Sequence, residues 1–251
     1  MLLCSDGDSS RAVHNALQRR FGTIRTILEP RLSQLGIVKK RAKRLGYVMV
    51  IGQILFVALI VPILRMLAQK RIAEIKKEFE LVEEWSESEI FRVASVNSEE
   101  TRSLLRSLQP TIIVVNGTQI ISEETLTAVN VPFLNMHAGI TPAYRGVHGG
   151  YWALIESRPG LVGTTIHLVD KGIDTGKIIQ KVYFSVGDAD NFATYPYLHT
   201  AYGIGGLLDS IDNVLKGHLR STADSLSLPS KLRTHPTIWG YLYNRMVKNV
   251  R

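Results

Sequence analysis

Residues 132–176 read PFLNMHAGITPAYRGVHGGYWALIESRPGLVGTTIHLVDKGIDTG. The apolar run Pro132 to Met136 predicts a short buried strand. Asn135 and His137 stand at its end, and side chains two apart on an extended chain point to the same side. An amide and an imidazole therefore leave the strand together, beyond its C-terminal edge. A loop with Gly139, Pro142, Arg145, Gly146 and Gly149 follows. Tyr151 to Glu156 then reads as helix and Thr164 to Val169 as strand. The stretch closes on a turn holding two carboxylates, Asp170 and Asp174, with Gly172 and Gly176.

A lone histidine at a strand end is usually structural or solvated, and asparagine there is usually a turn former. The ordered series N-x-H, P-x-x-R-G and D-x-x-x-D-x-G is a different matter. It resembles the catalytic core of the formyltetrahydrofolate-dependent formyltransferases, which include the methionyl-tRNA, glycinamide ribonucleotide and amino-sugar formyltransferases. The resemblance covers residues 91–186 well and the first strand, loop and helix weakly. It implies a three-layer α/β fold with a mostly parallel, Rossmann-like sheet of the formyltransferase type. It implies 10-formyltetrahydrofolate as co-substrate, no metal, and Asn135, His137 and Asp174 as catalytic residues. Formyl transfer to an amine passes through a tetrahedral oxyanion, and one fixed amide donor beside it is worth a few kcal/mol. The amine must also lose a proton, and an imidazole titrates near neutrality. A carboxylate holds that imidazole; in the family pattern it is the second acid of the turn, Asp174, which leaves Asp170 to order the turn. By the same resemblance the loop Asn116, Gly117, Thr118, Gln119, Ile120 and Ile121 cradles the pterin, largely through backbone groups, although the family often carries Arg where Gln119 stands. Arg145 and His148 are expected to face the acceptor, with bracing of the loop as the plainer role for Arg145.

Composition sets wider bounds. At 251 residues the chain suits one domain with additions, here 1–216 interrupted by a helical insertion at 31–84 and followed by a tail, 217–251, that straps back. Net charge is +8, which favours anionic partners, although much of it sits in local clusters. The single cysteine, Cys4, allows no internal disulfide and no thiolate zinc site. That fits a cytoplasmic protein, and the first residues lack the basic leader and long apolar stretch of a signal peptide.

In chain order, Met1–Cys4 reads as a strand, Arg11–Phe21 as a helix capped by Asp8 or Ser9, and Thr23–Leu28 as a second strand. Asp6 and Asp8 would repel a phosphate at the intervening turn. The insertion opens with the basic cluster Lys39, Lys40, Arg41, Lys43 and Arg44. Tyr47–Leu64 follows with Gln53 as its one strongly polar residue, and a charged helix runs on to about Glu84. That run is long enough to cross a membrane. The strands on either side should share one sheet, however, so a single crossing would split the domain. Two readings stand: a helix packed on its own domain or on a second protomer, and a helix lying in the interface on the inner face of a membrane. Gly52 and Pro62 permit a break. Asn97 or Ser98 with Glu99 and Glu100 starts a helix to about Leu108. Phe192–Leu215 reads as a long helix whose Tyr195, Tyr197, His199 and Tyr202 serve the core. The tail is too short for the barrel domain that methionyl-tRNA formyltransferases add, so tRNA is not the expected partner. The expected acceptor is a small amine, such as an amino sugar. Formyltetrahydrofolate hydrolase, a methionyl-tRNA formyltransferase-like activity and a non-catalytic membrane- or partner-associated module are the alternatives.

Overall fold

The computed structural model describes residues 1–31, 34–86, 89–218 and 229–251. Seven strands form one sheet: β1 (Leu2–Ser5), β2 (Thr26–Glu29), β3 (Ile90–Arg92), β4 (Ile113–Asn116), β5 (Phe133–His137), then β7 (Gly163–Leu168) and β8 (Ile178–Tyr183), which follow a short β6 (Tyr144–Gly146). The spatial order is β3-β2-β1-β4-β5-β7-β8. The first five pair in parallel, and β7 and β8 add antiparallel. The apolar runs explain the parallel part: β2 and β4 are buried along their whole length and β1 up to its last residue, Ser5, as strands covered on both faces must be. One face packs α1 (Asp8–Phe21) and α9 (Tyr195–Leu215), and the other packs α6 (Glu99–Leu108); separate clusters of buried aliphatic side chains fill the two faces. This is the three-layer, mostly parallel sheet that the sequence predicts.

The strand order reverses between β1 and β4. Open parallel sheets bind ligands beyond the carboxyl ends of their strands at such a point. Ser5, Asn116 and His137 close β1, β4 and β5 there.

The insertion is helical from 34 to 78: α2 (Gln34–Leu45), α3 (Tyr47–Leu55), a π-helical segment Phe56–Ile60, α4 (Val61–Leu67) and α5 (Gln69–Glu78). Pro62 cannot donate to the carbonyl four residues earlier, and the ladder loosens just before it, with the Val61 N–H reaching back to the Phe56 carbonyl. The helix thus changes type at the proline without breaking. Its charged continuation stops at Glu78, short of the expected Glu84.

Other boundaries also move. The second strand begins at Thr26 instead of Thr23 and includes Glu29. A carboxylate can end a buried strand because three donors meet it, the N–H groups of Val96 and Gln119 and the Gln119 amide. Neither Asp8 nor Ser9 caps α1; Gly7 holds that position with no side-chain bond. The long helix starts at Tyr195, three residues after Phe192. The tail holds more than a strap: β9 (Lys231–Arg233) pairs in parallel with β6, and α10 (Ile238–Val247) packs against α3. α7 (Glu123–Leu126) and α8 (Gly149–Ile155) complete the fold.

Candidate active site

β5 pairs with β7 so that Asn135 stands opposite His167 and His137 opposite Thr165. Directly opposed residues of an antiparallel pair project from the same face. Four polar side chains are thereby gathered at the ends of two buried strands. The Asn135 amide Nδ2 lies 3.1 Å from His167 Nε2. The other nitrogen of His167, Nδ1, is 2.8 Å from the Leu168 carbonyl, to which it donates, so Nε2 is the unprotonated nitrogen that accepts from Asn135. One amide hydrogen of Asn135 is spent holding its own orientation. The second remains available to a ligand oxygen.

His137 is buried, 6 % exposed. Its Nε2 lies 2.7 Å from the Tyr144 carbonyl and donates to it, so in the neutral ring Nδ1 is the basic nitrogen. Nδ1 faces Asp174 Oδ1 at 3.3 Å. Gly139 makes this contact possible: a Cβ there would stand 2.4 Å from the Tyr144 oxygen and 2.9 Å from His137 Nε2. Burial lowers the His137 pKa below the ordinary 6.5; the Asp174 charge and the Tyr144 carbonyl pull the other way without overcoming it. The resting imidazole is neutral at pH 7.

Asp174 reaches the site from the loop after β7 on a left-handed backbone, φ 53°. Its Oδ2 accepts the Gly146 N–H at 2.9 Å, which ties the carboxylate loop to the loop after β5. His167 Nε2 stands 3.7 Å from Oδ1, beyond a hydrogen bond. Burial raises the Asp174 pKa, but the two histidines and the Gly146 N–H outweigh it and leave the carboxyl below its usual 3.8. Asp170 is exposed and accepts from the Gly172 N–H and the Thr175 hydroxyl, an arrangement that orders the turn.

The remaining expected residues divide by what their side chains do. Arg145 donates to the Ile173 carbonyl, bracing the loop. His148, on a left-handed backbone with φ 60°, bonds His235 at 2.9 Å and lies over the Phe192 ring. Burial first, then the neighbouring His235, hold its pKa well below 6.5. At the end of β4, the Asn116 amide spans to the Ser9 and Ser10 hydroxyls, stitching β4 to the first turn of α1. Gln119 is turned to Glu29 and Ser95, and Ile121 is buried in the core. That loop offers a ligand its backbone groups and the exposed Ile120.

Beside this cluster lies a cavity of about 310 Å³. Ser9, Thr200 and His148 line it from the sheet domain and His235 from the tail, with Val57, Val61 and Arg65 from the insertion. Neither Asn135, His137 nor Asp174 lines it; the link to the cluster is the backbone, where the Gly149 N–H after His148 bonds the Ala138 carbonyl after His137. Two contributors escaped the sequence reading. His167 is visible only through strand register. His235 comes from the far end of the chain. The signal for His167 was present: it occupies the alternate position on a strand that closes against N-x-H.

The methionyl-tRNA formyltransferase of Thermodesulfovibrio yellowstonii is 34% identical over 114 residues, 45% of this chain and 37% of the relative. That of Chlorobium phaeovibrioides is 28% identical over 142 residues, 57% of this chain and 44% of the relative. The chain thus spans less than half the length of these curated relatives. A 4-N formyltransferase from Francisella tularensis superposes with a TM-score of 0.54 at 15% identity, over 92% of this chain and 75% of that one. Glycinamide ribonucleotide transformylase 1 from Symbiobacterium toebii gives 0.54 at 16%, over 92% and 93%. At such identities the likeness establishes the fold. The formyl transferase family model matches residues 58–196, more than half of the sequence and the whole of the cluster just described, and the chain therefore belongs to the formyl transferase family.

Proposed function

We propose that this protein moves a formyl group from 10-formyltetrahydrofolate to the primary amine of a small molecule. The observation that carries the reading is the joint placement of the Asn135 amide, His137 Nδ1 and the Asp174 carboxylate within one buried cluster. Family membership supplies the reaction class. The amine attacks the formyl carbon, the carbonyl oxygen becomes an oxyanion, and the second amide hydrogen of Asn135 stabilises it. The amine proton passes to His137 Nδ1, and Asp174, 3.3 Å away, stabilises the imidazolium that forms. Collapse of the intermediate breaks the bond to the folate nitrogen, which takes up the proton. The pterin would lie against the backbone of residues 116–121, at the crevice where the strand order reverses.

The cavity beside the cluster suits a small acceptor. At about 310 Å³ it matches the lower end of small-molecule pockets. Asp8 and Arg65, 3.5 Å apart at its rim, offer both signs of charge to an amine and an anionic or hydroxylated substituent. An amino sugar fits that description. A second reading is favoured by the identity to methionyl-tRNA formyltransferases. A screen of purified protein with the folate donor, amino-sugar nucleotides, glycinamide ribonucleotide and charged initiator tRNA decides between them. Formylation of a small amine is the expected result. Formylation of the tRNA alone replaces this acceptor, and release of formate with no acceptor modified replaces transfer by hydrolysis.

A further inference from the structure

We infer that the helix Tyr47–Leu67, together with α10, is a docking face that lies in the plane of an anionic membrane surface. The inference stands apart from the choice of acceptor. The 21 residues from Tyr47 to Leu67 are long and apolar enough to cross a membrane, yet only 22% of their most apolar window is buried in the protein. Eleven large apolar side chains of this run are at least 38% exposed, among them Tyr47 and Val48 at 74%, Ile51 at 54% and Leu67 at 72%. The neighbouring α10 adds Trp239, Tyr243, Met246 and Val247. An ordinary soluble monomer rarely exposes so many large apolar side chains along one helix, and extended apolar surfaces mark contact sites.

The orientation follows from what the buried stripe does. Gln53, the one amide of the run, is 4% exposed and donates to the Thr234 hydroxyl and the His235 carbonyl. Phe56 is fully buried between Phe192 and Tyr241, at ring distances of 4.8 and 5.0 Å. Gly52 lets the Trp239 ring in, because a Cβ there would stand 2.3 Å from it. The middle of the helix is thus fastened along the body of the domain. The strands before and after the insertion, β2 and β3, are hydrogen-bonded neighbours. A helix held in this way lies along a bilayer and does not pierce it.

Charge names the occupant. From Lys39 to Arg71 the sequence has eight Lys or Arg and no Asp or Glu, and residues 225–251 carry five Lys or Arg and again no carboxylate. Lys43 and Arg44 are exposed before the apolar run, Lys70 after it, Arg245 on α10 and Lys248 just beyond its end. An apolar face whose rim carries more cations than carboxylates, with Glu74 and Asp188 the acids beside Leu67 and Arg245, fits acyl chains beneath anionic headgroups. A second copy of the same face would bring the cations against each other.

Sedimentation of the full chain with vesicles of phosphatidylcholine alone, and with phosphatidylglycerol added, tests this. Strong binding to the anionic vesicles, weaker binding to the neutral ones and loss with salt are expected. Ile51→Glu with Leu59→Glu should cut binding by about tenfold or more on both, as charge entering the acyl boundary must. Lys43→Glu with Arg44→Glu should cut it on anionic vesicles only, by about tenfold. All four positions are exposed, so the melting temperature should hold. Absence of binding to either vesicle overturns the inference. So does a stable dimer in sedimentation velocity that Ile51→Glu with Leu59→Glu disperses, and so does resistance to carbonate extraction, which would mean a spanning helix.

Discussion

Residues 132–176 and residues 47–67 make opposite use of burial. In the first, polar side chains are carried into the interior and bonded there: His137 to Tyr144, Asn135 to His167, Asp174 to Gly146. In the second, apolar side chains are carried out to the surface while the one amide, Gln53, is taken inside. A buried polar group without partners costs about 1–3 kcal/mol, so the first region persists because its catalytic cluster is partnered, even though the Thr141 hydroxyl and Arg145 Nε nearby are buried without a partner. An exposed apolar face costs stability without such a remedy inside the chain. The difference teaches that one chain can bury polar groups where partners meet them and expose apolar ones where none do.

Substitutions can break this contrast from either side. The largest effect is expected at His137. His137→Ala should lower kcat by about 10³-fold or more, the upper part of the usual range for a general base, while equilibrium binding of the folate donor persists. Next comes Asn135→Ala, which should cost about 10²–10³ in kcat if its free hydrogen meets the oxyanion. Unchanged kcat would leave Asn135 only its bond to His167.

Asp174→Asn should cost more activity than Asp170→Asn, because only Asp174 faces His137. The pH profile adds a sign. His137 must be neutral to act, and burial lowers its pKa, so the acid limb of kcat/KM should fall below pH 6.5. The Asp174 charge raises that pKa. Asp174→Asn should therefore move the limb to still lower pH, and a shift to higher pH would show that another group titrates.

Smaller effects concern stability. Gln53→Leu removes two bonds and strands the His235 carbonyl, at a cost of about 1–3 kcal/mol in denaturant unfolding. The buried histidines make stability depend on pH. Burial lowers His199 to about 3 and His235 to about 4, and His148 well below 6.5. Groups with depressed folded pKa values contribute stability that is complete above the unfolded value, near 6.5, and is lost as pH falls towards 4. The melting temperature should decline across that window, and His235→Gln should flatten the decline.

Much of this was legible in the sequence. N-x-H at the end of an apolar run located β5 and its outward pair, and Ser98 before Glu99 and Glu100 placed α6, where Ser98 accepts the Thr101 N–H. The helical insertion was visible as an apolar run between basic clusters. What escaped depends on contacts distant in sequence. His167 acquires meaning only once β7 is set antiparallel against β5, since its own neighbours look like any half-apolar strand. Glu29 reads as a strand terminator until three donors from two other loops meet it. Gln119 was read in a pterin loop, yet its side chain braces Glu29. His235 and β9 come from a tail whose packing on β6 no local pattern announces.

The central claim is that the buried cluster performs formyl transfer through His137. Single-turnover transfer of labelled formyl from 10-formyltetrahydrofolate to a panel of primary amines tests it most directly, with wild type and His137→Ala run side by side and donor binding measured on both. The account predicts a formylated amine from the wild type, none from His137→Ala, and equal donor binding. Equal turnover by both proteins, or no formylated amine with any acceptor while the donor binds, contradicts it.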